Sequence, residues 1–312
     1  MKRAFLLFIC ASLGFLPACT SSGTAFNPPG GIGPVDSQLV VGMKTSTTTG
    51  LMNVYAPPYS GAPSVSNVAT GEPWNMAADG HGNLWVATGY ALYGGSHAVL
   101  EYTTPLTASS TPAITIPTSA TGATEGVAFD SSGDLWVATW SDNTIREFKP
   151  PFSNASTAAL SITNGLHGPE GLAFDAHGNL WVCNTATTPA IEEFTPPLSS
   201  SSSPAFSITN GGTLSTPQQV AFNSAGDMFV ADEATAKVYE FAPPFSSSST
   251  ASVTLGFSSP QSLALDSSGD LWVTDRDTNS VYEFKPPFSN ASTPALTVTN
   301  GVSSPWGLTF VK

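Results

Sequence analysis

The chain has 312 residues, of which 41% are hydrophobic and only 10% charged, and its 22 acidic against 9 basic side chains leave a formal net charge of −13. That length suffices for a sizeable core beneath a Ser/Thr-rich surface. The acidity excludes the basic stripe that nucleic acid requires and any direct adhesion of a folded domain to anionic lipid.

Residues 1–18 read as a leader rather than as part of a fold. Lys2 and Arg3 form a positive start, Ala4 to Leu16 an apolar stretch too short to span a bilayer, and "LPAC" ends at Cys19. The segment resembles a bacterial lipoprotein signal, with Leu16 at −3, Ala18 at −1 and Cys19 as the lipidated residue; Pro17 at −2 departs from the usual pattern. The resemblance implies an exported protein whose only membrane attachment is its lipid anchor. With Thr20 rather than Asp after the cysteine, the outer membrane is the expected address. Residues 19–38, rich in Ser, Gly and Pro, then serve as a flexible tether. Beyond the leader only Cys19 and Cys183 remain, so no disulfide staples the domain, and Cys183 is expected to be a buried, inert thiol.

Residues 39–312 are a tandem repeat. The aromatic of an "LWV"-like segment returns at Trp85, Trp136, Trp181, Phe229 and Trp272, at intervals of 51, 45, 48 and 43 residues. A period in the forties with several short alternating segments per unit predicts an all-β, six-bladed β-propeller of four-stranded antiparallel blades. Each unit starts with an inner strand such as "GLAFD", turns through "DSSGD" or "DAHGN", and continues into the "LWV" strand. A third strand such as "TIREF" or "SVYEF" ends at a Pro-Pro pair that halts the ladder, and an outer "ALSIT"-like strand completes the blade. Five units are whole. The sixth is split: residues 39–72 hold its later strands, and "PWGLTFVK", Pro305 to Lys312, supplies the missing inner strand. Pairing the C-terminal strand with the N-terminal blade closes the ring without an open seam.

Features copied in every blade are expected to be structural. Glu101, Glu147, Glu193, Glu240 and Glu283 recur in the third strand, and the Asp residues of the hairpin turns recur likewise. The opening position of the inner strand is not copied. Around the ring it reads Trp306, Trp74, Glu125, Glu170, Gln218 and Gln261, so that one channel mouth has an aromatic, an acidic and an amide third. Such a set suits a sugar ring or another flat ligand whose polar groups meet carboxylate and amide, or a cation; the plainer alternative is a polar, water-filled pore. Loops on the same face add Trp140, Asp142, Asn184, Asp232, Glu233, Asp275, Arg276 and Asp277, with Tyr90, Tyr93 and His97 in a longer excursion of blade two.

The segments "GLAFDAHGNLWV" and "AIEEFTPP" resemble the NHL-type propellers and, more loosely, the streptogramin lyases and the gluconolactonase family. Kinship with the lyases would imply a loop histidine as base beside magnesium, for which His167 and His97 are the candidates. Kinship with the lactonases would imply a divalent cation held by Glu, Asn and Asp, for which Glu125 or Glu170 with Asn184 and Asp232 are the candidates. None of these residues stands in either family's spacing, and blade motifs specify no chemistry. The expectation is a monomeric, non-catalytic module that binds a protein, peptide or glycan on its top face. The alternative is a metal-assisted lyase or lactone hydrolase at the channel mouth, with His167 as base.

Overall fold

The computed structural model describes residues 37–46, 49–89, 97–119 and 122–312. The leader, Cys19 and the first part of the tether lie outside the described residues, as do Tyr90 and Tyr93. Among the described residues are 24 strands in six four-stranded antiparallel sheets, and no helix is long and apolar enough to cross a membrane.

Blade one is the split unit. Its sheet runs β24 (Pro305–Val311), β1 (Gln38–Lys44), β2 (Gly50–Tyr55), β3 (Val65–Thr70). Leu39 pairs with Phe310 on one side and Tyr55 on the other, and Val40 with Thr309 and Val54, so the two ends of the chain share one ladder. The inner strands of blades two to six are β4 (Pro73–Ala78), β8 (Thr124–Phe129), β12 (Pro169–Phe174), β16 (Pro217–Phe222) and β20 (Pro260–Leu265), and each meets its neighbours around a closed ring that includes β24. The expected splice is therefore present, and the first strand begins at Gln38, with Ser37 already buried.

A lone blade leaves both of its faces bare, and the core reflects this. There are six apolar clusters, each drawn from two adjacent blades. Trp136 and Ile145 of blade three meet Phe174 and Phe194 of blade four; Trp272 and Val281 of blade six meet Leu39, Leu308 and Phe310 of blade one. The wedges come from the second strands: β5 (Leu84–Thr88), β9 (Leu135–Thr139), β13 (Leu180–Asn184), β17 (Met228–Asp232) and β21 (Leu271–Asp275). Their aromatics are at most 2% exposed, which makes each worth roughly 2–3 kcal/mol of apolar burial. The residue after the Pro-Pro pair of the next blade closes over the wedge edge-on: Phe152 on Trp85, Phe245 on Trp181, Phe288 on Phe229 and Tyr59 on Trp272, with ring centroids 4.9–5.3 Å apart. Each blade carries one cis X-Pro bond in this loop.

Turn chemistry explains the recurring aspartates. Asp79, Asp130, Asp175 and Asp266 each accept two backbone N–H bonds of the turn through Oδ1. Through Oδ2 each accepts the indole N–H of Trp85, Trp136, Trp181 or Trp272 at 3.0–3.1 Å. Blade five has Phe229, which offers no N–H, and there the acid is replaced by Asn223, which keeps the turn bonds and donates to Asp227 at 2.8 Å. A second coupled exchange involves the third-strand glutamates. Where the turn ends in Asp134 or Asp270, a lysine follows the third strand: Lys149 bridges Asp134 and Glu147, and Lys285 bridges Asp270 and Glu283. Where it ends in Asn83, the amide itself donates to Asp79 and Glu101.

Candidate functional site

The opposite face of the ring is built from two sets of equivalent positions. Every inner strand has a register irregularity just after its first residue, and the bulged residue is Trp306, Trp74, Glu125, Glu170, Gln218 or Gln261. The residue that ends or directly follows each second strand donates its backbone N–H to the carbonyl just ahead of the inner strand. Those pairs are Lys44 to Ser304, Gly89 to Glu72, Trp140 to Ala123, Thr185 to Gly168, Glu233 to Thr216 and Arg276 to Ser259, at 3.0–3.3 Å. One hydrogen bond in every blade thus sets a second ring of side chains against the first: Lys44, Gly89, Trp140, Thr185, Glu233 and Arg276. The backbone is sixfold while the side chains are not.

The aromatic third is already partnered. Trp74 and Trp306 meet edge-on with centroids 4.3 Å apart, and the Lys44 ammonium lies 5.2 Å from both rings while pairing with Glu72 at 2.7 Å. Arg276 covers Trp306 from 5.4 Å and pairs with Glu233 at 2.8 Å. Trp74 in turn donates its indole N–H to Glu72 at 3.2 Å. That geometry requires Gly89, since a Cβ there would stand 2.2 Å from the indole nitrogen. Lys44 and Glu72 had no distinguishing signal in the sequence: Lys44 sits in the irregular half-blade, and its equivalence to Arg276 becomes visible only through the shared backbone bond.

The acidic third has no such cation. Glu125 and Glu170 are each 8% exposed, in adjacent blades. Burial holds the Glu125 carboxyl well above the usual range, with the charges of Glu170 and Glu72 adding to the rise and Lys44 opposing it. Glu170 is pushed up to about 8, again by burial first; the Thr185 hydroxyl pulls the other way and Glu233 adds to the rise. Oε2 of Glu125 has no hydrogen-bond partner among the described residues. Beside this pair Trp140 crosses from blade three to blade four, its indole N–H donating to the Thr185 hydroxyl at 2.9 Å, and it is the one large apolar side chain among the described residues that is exposed, at 41%.

In the amide third, Gln218 donates to Glu233 at 3.2 Å and Gln261 to the Ser259 hydroxyl at 2.9 Å. The remaining expected candidates stand elsewhere. Asn184 accepts the His167 backbone N–H and donates to the Gly165 carbonyl, and Asp232 accepts the backbone N–H groups of Ser215, Thr216 and Thr235. Both are loop clamps, as is Asp275, which holds Ser258 and Ser259. Asp142 pairs with Arg146 at 2.6 Å, and Asp277 pairs with Arg276. His167 is exposed, and its charge acts on Glu192 in the third strand of blade four. His97 is buried against the Gly89 carbonyl. Cys183 is fully buried, and burial pushes its thiol up, with Glu170 and Asp232 adding to the rise, so it is not a thiolate.

Two carboxyl triads among the described residues are close enough to hold a metal ion, Asp130/Asp134/Glu147 and Asp266/Asp270/Glu283. Both lie on the turn face, and each already holds the ammonium of Lys149 or Lys285. At the mouth Glu125 and Glu170 gain no third acid, histidine or cysteine within that reach among the described residues. Asn184 and Asp232, the further ligands expected for a divalent cation, are committed to their loops.

Residues 257–284, from the loop before β20 to the third strand of blade six, match the NHL repeat. No curated protein matches the chain. Among solved structures the fold is similar to a periplasmic gluconolactonase from Pseudomonas aeruginosa, at 16% identity and a TM-score of 0.63 over 88% of this chain and 99% of that one. It is also similar to a protein of unknown function from Bacteroides caccae, at 14% identity and 0.62 over 89% and 99%. A third is a putative 6-phosphogluconolactonase from Bacteroides uniformis, at 13% and 0.60 over 89% and 100%. At these identities the likeness is one of fold.

Proposed function

We propose that this six-bladed propeller, which carries an NHL repeat, is a non-catalytic binding module, held in the cell envelope by a lipid on Cys19, that takes a protein, peptide or glycan ligand at the mouth framed by Trp140, Glu125 and Glu170. One observation carries the reading: the turn face repeats the same Asp–Trp bond in four of the six blades, whereas the bulged mouth positions change from aromatic to acid to amide around the ring on an unchanged backbone. A ring needs repetition to close; it does not need its mouth divided into aromatic, acidic and amide thirds. Selection for a ligand explains that asymmetry.

Two of the similar structures are a gluconolactonase and a putative 6-phosphogluconolactonase, an activity that belongs to those proteins. A metal-assisted lyase or lactone hydrolase working here would use Glu125 and Glu170 as metal ligands, but the base expected for it, His167, is an exposed loop residue whose charge acts on Glu192 in the third strand. The binding reading therefore comes first. The test is a glycan and peptide binding screen on the mature domain, repeated with Trp140→Ala. Ligands should be retained by the parent and weakened roughly fivefold or more by the variant; hydrolysis of lactones by the parent, lost in Glu170→Gln, would replace this reading with the enzymatic one. Cys19→Ser should move the protein from the membrane to the soluble fraction, and persistent membrane attachment would count against the anchor.

A further inference from the structure

The mouth contains one cation site that the chain fills itself. Lys44 places its ammonium against one carboxylate, Glu72, and two indoles, Trp74 and Trp306. Across the seam between blades three and four the same chemistry recurs: the carboxyls of Glu125 and Glu170 and the exposed indole of Trp140, anchored through its N–H to Thr185 so that the ring is held in place. The cations on the mouth rings are Lys44 and Arg276, and both are engaged elsewhere, with Glu72 and with Glu233 and Asp277.

We propose that the seam between blades three and four is a receptor for an organic ammonium group supplied by the ligand, its charge held by Glu125 and Glu170 and its alkyl neighbours lying on the Trp140 ring. This rests on the reading of the mouth as a binding site and deepens it by naming the charge and chemical class of what is bound.

Three observations converge on it. Oε2 of Glu125 lacks a hydrogen-bond partner among the described residues although the side chain is more than nine-tenths buried. A buried carboxylate without a cation is strongly disfavoured, so the site gains most from a ligand that carries positive charge. An indole face open to solvent beside carboxyls is of use to an alkylammonium and of little use to a bare metal ion. The two tightest acid clusters among the described residues, Asp130/Asp134/Glu147 and Asp266/Asp270/Glu283, each hold an ammonium.

Binding follows the ionisation of the two carboxyls. Glu125 feels the charges of Glu170, of Glu72 ahead of β4 and of Lys44 at the end of β1, while Glu170 feels that of Glu233 after β17 and itself acts on the Cys183 thiol of β13. An amine that stays protonated should therefore bind more tightly at about pH 9 than at about pH 6, because the Glu170 carboxylate emerges across that interval.

Titration calorimetry on the whole mature protein provides the test, with two pairs of probes. The first pair is Nα-acetyl-lysine methylamide and its Nε-acetylated form; the second is a glucosamine trisaccharide and its N-acetylated counterpart. The amine of at least one pair should bind at least tenfold more tightly than its acetylated form, and which pair responds tells a peptide side chain from an amino sugar. Glu170→Gln and Glu125→Gln should each reduce that affinity about tenfold or more, and Trp140→Ala about threefold, with thermal unfolding at neutral pH as the check that each variant is folded. Equal binding of amine and acetylated forms, undiminished binding by Glu170→Gln, no binding of either amine, or a response to calcium or manganese chloride alone would each overturn it. A neutral ligand from the wider screen that is lost in Trp140→Ala would overturn the ammonium assignment while leaving the mouth as the binding site.

Discussion

A carboxyl group enclosed without a cation keeps its proton, and Glu170 shows what this does to the stability of the fold. Its ordinary value is 4.5 and the folded chain raises it to about 8. Between those values the folded chain binds more protons than the unfolded one, so this group's contribution to stability falls as pH rises through the window and levels off above about pH 8, at a slope of about 1.4 kcal/mol per unit. Glu170→Gln keeps the shape and removes the titration. Its melting temperature should match that of the parent at about pH 4.5 and exceed it at about pH 8.5, the more so because Glu125 is also relieved of a neighbouring charge. Identical differences at the two pH values would refute the assignment. The identity of these acids was legible from the break in the repeat, since glutamate at two of six equivalent positions is visible in a list. That no described cation pairs with them directly was not, because it depends on Lys44 turning to Glu72 and Arg276 to Glu233.

At the scale of the element, the aspartate of each hairpin joins the turn to the wedge. Alternation and turn residues identify these hairpins in the sequence, because local backbone preferences decide them. The bond from Asp266 to the Trp272 indole at 3.0 Å spans six residues and arises only once the hairpin is folded, although the paired exchange to Asn223 and Phe229 is a trace of it in the repeat. Asp266→Ala removes the acceptor for two turn amides and one buried indole and should cost about 2–4 kcal/mol in urea unfolding. Asp266→Asn, which retains an acceptor for the turn, should cost less than half as much. Equal losses from the two substitutions would show that the turn amides contribute nothing beyond the indole bond.

For the whole molecule, the ring distributes its core among six seams, none of which belongs to a single blade. Deleting Pro305 to Lys312 strips β24 from blade one, bares the edge of β1 and removes Leu308 and Phe310 from the seam with blade six. The truncated protein should lose its single cooperative urea transition and aggregate; a parent-like transition would contradict the closure. The amino-acid sequence by itself determined the number of blades, the strand order within each and the splice of the two termini, because repetition and period-two alternation are local properties that each unit carries in its own residues. It also marked which mouth positions break the symmetry. Only the tertiary structure decided what those positions do. Whether a charge at the mouth is neutralised depends on side chains from different blades, such as Lys44 with Glu72 or Trp140 with Thr185, and such pairs have no spacing in the chain until the ring closes and brings them within hydrogen-bonding range.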